Sequence, residues 1–138
     1  MSNPSLDDVI TELRHLNEAV PRPRSLPTEA DMRELEHDLG LRLHEDLRRY
    51  LLEASDVVFG TKEPVTVGTG GYTDLAAVLR HATESGVPDD LIPVCEDNGD
   101  FYCVAPSGEV VFWSHNGTSD EGWANLATWI HEVWINER

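Results

Sequence analysis

The sequence predicts an α+β fold, with helices packed on a small antiparallel sheet in a single domain. Three observations carry this. Apolar residues recur at helical spacing through most of the first 85 residues. Between 91 and 114 the period changes, and β-rich runs flank an Asn-Gly pair, the strongest short hairpin signal. Helical spacing then returns near the C-terminus. The order is helix, helix, helix, strand, helix, strands, helix, and no repeat or second domain interrupts it.

Residues 5–17 read as the first helix, with Leu6, Val9, Ile10, Leu13 and Leu16 on one stripe. Ser5 is placed as its N-cap, with Asp7 and Asp8 in the first turn, where the helix dipole favours acids. Pro21-Arg22-Pro23-Arg24 breaks the pattern, so 18–26 is an extended connector. Thr28 caps a second helix with Asp31 as capping-box partner; Met32, Leu35 and Leu39 are its stripe and Gly40 ends it. A third helix over 44–54 turns Leu47, Tyr50, Leu51 and Ala54 inward, making a helical hairpin or corner with the second. Pro64–Val67 is a short strand candidate, followed by the loop Gly68-Thr69-Gly70-Gly71. Thr73 is placed as the cap of a fourth helix carrying Leu75, Val78, Leu79 and Ala82, with Gly86 past its end.

Residues 91–96 and 101–105 flank Asn98-Gly99. If these two are the centre of a type I′ turn, Asp97 opposes Asp100, Cys95 opposes Tyr102 and Cys103 opposes Val94. The two thiols then sit on opposite faces and cannot bond. Ile92, Val94, Phe101 and Cys103 share the face assigned to the core. Pro106-Ser107-Gly108 turns the chain into a third strand at 109–114, completing a three-stranded meander. A last helix over 123–136 carries Leu126, Trp129, Ile130, Val133 and Trp134. Trp129 and Trp134 are five apart, about 140° around an α-helix, so at most one points to the centre of the stripe. The tryptophans read either as core or as partner contacts.

The chain has 138 residues, with 26 acids against 10 Lys and Arg, for a net charge of −16. Between Arg80 and Arg138 there are 11 acids and no base. This excludes the nucleic-acid class, whose phosphate contacts need Lys and Arg, and docking to anionic membranes. It leaves basic protein partners, which a field of this sign steers inward. No apolar stretch approaches the ~20 residues of a membrane span, and the N-terminus has no secretory pattern. Two cysteines are too few for a disulfide framework. A cytoplasmic location is expected, and the sequon Asn116-Gly117-Thr118 then reads as a turn.

No chemistry-bearing constellation emerges. The Gly68–Gly71 loop lies where a phosphate loop would, but lacks the Lys-Ser/Thr of that motif. The acids from Glu96 to Asp100 lack calcium-loop spacing. The six histidines show no metal pattern. Ser114 and His115 are adjacent on a strand and so face opposite ways. Neither cysteine has a neighbour that would activate it. The expectations are no catalytic residue, no cofactor, no metal and no enzyme activity.

Several stretches together resemble the SUKH superfamily, built around the Smi/Knr cell-wall regulators of yeast and many bacterial immunity proteins. Leu26 to Gly40, with its Leu35-Glu36 pair and terminal glycine, looks like the opening helix. Asp46-Leu47-Arg48-Arg49-Tyr50-Leu51-Leu52 looks like the second. Leu91 to Val104 resembles the central hairpin, and Glu109 to His115 with Leu126 to Ile130 the closing strand and helix. Two positions depart from the pattern: His44 stands where the family has Pro, and Ala105 where it often has an acid. The resemblance covers about residues 26–135. It divides the chain into an N-terminal helix and Pro-rich connector, 1–25, and a SUKH-like domain, 26–138, packed as one unit.

The resemblance implies a protein-binding domain, with bacterial members neutralising toxins and yeast relatives acting as regulatory scaffolds. Bacterial immunity against a basic toxin domain is the leading expectation, a regulatory or scaffold module the alternative, and a small enzyme or ligand-binding domain using the Gly68–Gly71 loop the third. Candidate partner-binding residues are Glu96, Asp97 and Asp100 at the hairpin tip and Asp120 and Glu121 in the loop after the third strand. Meander geometry brings these together in one acidic end.

Overall fold

The computed structural model describes residues 4–115 and 117–136. Helices α1 (Leu6–Leu16), α2 (Glu29–Leu39), α3 (Glu45–Ala54) and α4 (Leu75–Ser85) precede strands β1 (Ile92–Asp97), β2 (Asp100–Val104), β3 (Val110–Ser114) and β4 (Gly117–Trp123). Helix α5 (Leu126–Trp129) runs directly into a π-helical segment, Ile130–Ile135. The sheet is a four-stranded antiparallel meander in chain order.

The helix starts follow their caps. Ser5 with Asp8, and Thr28 with Asp31, form complete capping boxes. Gly40 and Gly86 end α2 and α4 at positive φ, a conformation only glycine adopts without cost. The fourth helix begins one residue later than its sequence suggests. Asp74, not Thr73, is the N-cap. Thr73 is buried, and its hydroxyl bonds that of Thr66 at 3.0 Å. The α2–α3 corner is latched by Glu36, whose carboxylate accepts from Leu43 N (2.9 Å) and from Arg48 Nε (3.2 Å). Arg48 also reaches Glu29, tying both ends of α2 to α3. Helix α1 packs on α3, with Arg49 bonded to Asp7, while Arg14 bonds Asp56 just beyond α3.

The hairpin register is as expected near its turn, with Asp97 opposite Asp100 and Cys95 opposite Tyr102. A bulge between Pro93 and Cys95 then shifts it, so Cys103 opposes Pro93 rather than Val94, and Ile92 opposes Val104. The bulged Val94 gives its carbonyl to Val65 N at 2.9 Å. Cys95 and Cys103 are free, buried and on opposite faces. The core is not confined to the one sheet face that the sequence assigns to Ile92, Val94, Phe101 and Cys103. Phe101 meets His81 of α4, whereas its neighbour Tyr102 meets Trp129 of α5. Successive strand residues point to opposite faces, so helices cover both, and Ile92 joins the face of Tyr102.

Three further expectations change. Pro64–Val67 forms only isolated bridges, to Cys95 and to Asp74, rather than a strand. The span 115–122 is mostly β4, a fourth strand, and Trp123 belongs to it instead of to the last helix. The sequon reading falls on Asn116, outside the described residues, while Gly117 and Thr118 lie in β4. Trp129 and Trp134 are both fully buried. The π-helical hydrogen bond runs from i to i+5, as from Asn136 N to His131 O, so residues five apart come over one another on one face.

Candidate partner-binding surface

The tip of the β1–β2 hairpin is built by Asn98 (φ 53°) and Gly99 (φ 87°), the two positive values a type I′ turn requires. Glu96 closes it from the side, accepting from Gly99 N at 2.9 Å. Asp100 lies 3.2 Å from His115 Nδ1 in the β3–β4 turn. The two hairpin ends are therefore adjacent, as meander geometry requires.

The five acids are not equivalent. Asp97 and Asp100 oppose one another and share the face of Tyr102. Burial, then Asp97, Cys95 and Glu121, push the Tyr102 hydroxyl up to about 12. Glu96 pairs with Phe101 and projects to the other face. There it lines a hollow of ≈ 250 Å³ with Glu63, His81 and the exposed ring of Tyr72. Asp120 and Glu121 lie on β4, not in a loop. They occupy a bulge in which the register jumps from Val111–Gly122 to Trp113–Thr118. β4 is an edge strand, and acids on a bulged edge also block pairing with another chain. The end is not free of bases in space, because Lys62 from the α3–α4 connection comes within 4.0 Å of Asp97.

The Gly68–Gly71 loop holds an internal anion. Asp74 accepts from Gly68 N at 3.2 Å and from Gly70 N at 3.3 Å. Amides that would cradle a phosphate are thus taken by the carboxylate that begins α4. Cys95 and Cys103 are pushed up to about 12, chiefly by burial, and are inert thiols. No group of His, Cys, Asp and Glu able to hold a metal occurs among the described residues. Among the described residues, no helix is long and apolar enough to cross a membrane.

At the other end of the hairpin is a feature the sequence reading missed, a cleft of ≈ 380 Å³. Its walls come from the α2–α3 link, the segment before β1, and the β2–β3 turn. These segments are distant in the chain, and no local periodicity marks them.

A family model described as SMI1-KNR4 cell-wall, of the SUKH group, matches residues 6–135. The chain belongs to this family. A solved protein structure from Pseudomonas syringae pv. tomato is similar at 39% identity, covering 95% of this chain and 99% of that one, with a TM-score of 0.91. No curated protein matches. Membership in the SMI1-KNR4 family supports a protein-binding domain of the immunity or regulator kind. Both departures from the family pattern, His44 and Ala105, line the ≈ 380 Å³ cleft of this SMI1-KNR4 domain. The missing proline does not leave the helix start uncapped. His44 caps α3 instead, its Nδ1 accepting from Asp46 N at 3.1 Å.

Proposed function

We propose that this SMI1-KNR4 domain is a cytoplasmic bacterial immunity protein without enzymatic activity, which binds a basic toxin domain and blocks it. The supporting observation is the acidic edge. Asp97 and Asp100 oppose one another at the hairpin tip, and Asp120 and Glu121 lie in the β4 bulge, in a chain of net charge −16. Only Lys62 and His115 pair with the tip acids among the described residues. Such an edge meets a basic toxin through complementary potentials, which speed association and reject acidic partners. Asp120 extends this edge, while Glu96 on the opposite face supports the turn.

Co-expression with the product of the adjacent gene tests this reading. Rescue of growth, with a complex recovered from the same cells, supports it. A neighbour that is harmless alone and still forms a stable complex favours the regulatory or scaffold alternative.

A further inference from the structure

We propose that the cleft beside the β2–β3 turn docks a basic polypeptide segment that inserts one large apolar side chain. This rests on the protein-binding reading but not on the acidic edge, which lies at the opposite end of the hairpin. The floor is apolar and closed, with Leu43, Leu47 and Val104 all at most 5% exposed. Leu41, Ile92 and Ala105 are half-buried and open onto it. Half-buried apolar side chains around a hollow are what an anchor residue desolvates on binding. At ≈ 380 Å³ the space is near the lower end of ligand pockets, about 300–1,000 Å³, which suits a side chain rather than a helix.

The rim selects the occupant. Asp89 and Asp90 are exposed, and neither carboxylate has a partner among the described residues. Arg42, also exposed, is the only Lys or Arg lining the cleft among the described residues. Two carboxylates against one guanidinium leave the rim acidic, so cations beside the inserted side chain are favoured and carboxylates are repelled. The walls are held in place before binding. Ala105 N donates to Glu109 O at 2.8 Å and Gly108 N to Ala105 O at 2.9 Å. His44 is fixed by its bond from Asp46 N.

The test is a methyl and amide NMR titration of the full chain with the blocked peptide Gly-Ser-Lys-Phe-Lys-Ser-Gly. Signals of Leu43, Ile92, Val104 and Ala105 should shift. Replacing the peptide's Phe by Ser should weaken binding about 10- to 100-fold, the worth of burying one such side chain. Replacing both Lys by Glu should abolish it. Ala105→Trp, which fills the cleft, should remove the shifts. Asp89→Lys with Asp90→Lys, two exposed changes that keep the fold, should weaken binding and flatten its salt dependence. Silent cleft methyls, equal binding of the Ser peptide, or shifts confined to Asp97 and Asp100 would overturn the proposal. Growth rescue reads the toxin assignment separately, so the two can fail independently.

Discussion

Gly108→Ala tests how the β2–β3 turn supports the start of α3. Gly108 has φ +95°, and an added Cβ would lie 2.8 Å from His44 Nε2 and 3.1 Å from Cε1. The left-handed backbone alone costs an alanine about 1–2 kcal/mol. The contact forces the imidazole to move, and that ring caps α3 through Asp46 N. Losing a cap costs about 1 kcal/mol. The single variant should therefore lose about 2–3 kcal/mol in urea denaturation. His44→Ala should cost about 1 kcal/mol by itself. In that background the clash and the cap are both gone, so Gly108→Ala should cost only the backbone share, about 1–2 kcal/mol. The cycle should show a coupling of about 1 kcal/mol. Additivity within about 0.3–0.5 kcal/mol would refute the argument that the glycine makes room for the capping ring.

Trp129→Ala should cost about 3–5 kcal/mol, the range for truncating a buried aromatic, with a loss under about 1 kcal/mol placing Trp129 outside the core. Asp74→Ala frees the Gly68 and Gly70 amides and should cost about 1–2 kcal/mol, with amide exchange accelerated at those two glycines and unchanged in the sheet. Burial holds both thiols neutral up to about 12 in the fold, whereas unfolded thiols ionise near ~8.5. The folded state then binds more protons in that window, so the stability these groups contribute is complete below about pH 8.5 and is lost as pH rises toward 12. Urea midpoints of a Cys95→Ala, Cys103→Ala double variant should fall less steeply over that range, and native protein at pH 8 should resist thiol-specific alkylation. Reversing Asp97, Asp100 and Asp120 to Lys should slow association with a basic toxin at low salt and flatten its salt dependence, with the melting temperature unchanged; wild-type association would remove the acidic edge as the docking site.

Local chemistry was legible in the sequence. Ser5, Thr28, Gly40, Gly86 and Asn98-Gly99 each act on neighbours three or four residues away, so their caps and turn follow from spacing alone. The inward sets of α1 and α3 follow from helical period for the same reason. The net charge and the family-like stretches needed no coordinates either, and they carry the protein-binding reading. What tertiary structure decided is whatever depends on partners remote in the chain. Val65 takes the carbonyl of Val94 at the bulge that shifts the β1 register. β4 has little apolar alternation, and its pairing with β3 supplies what its own residues do not announce. The π-helical turn aligns Trp129 and Trp134, which α-helical arithmetic separates. Asp74 fills the glycine loop, and Lys62 reaches Asp97 across the connection between α3 and α4. The cleft joins Leu43, Asp89 and Ala105, residues with no spacing rule between them. A pocket is a property of surfaces meeting, and only the packed chain determines which surfaces meet.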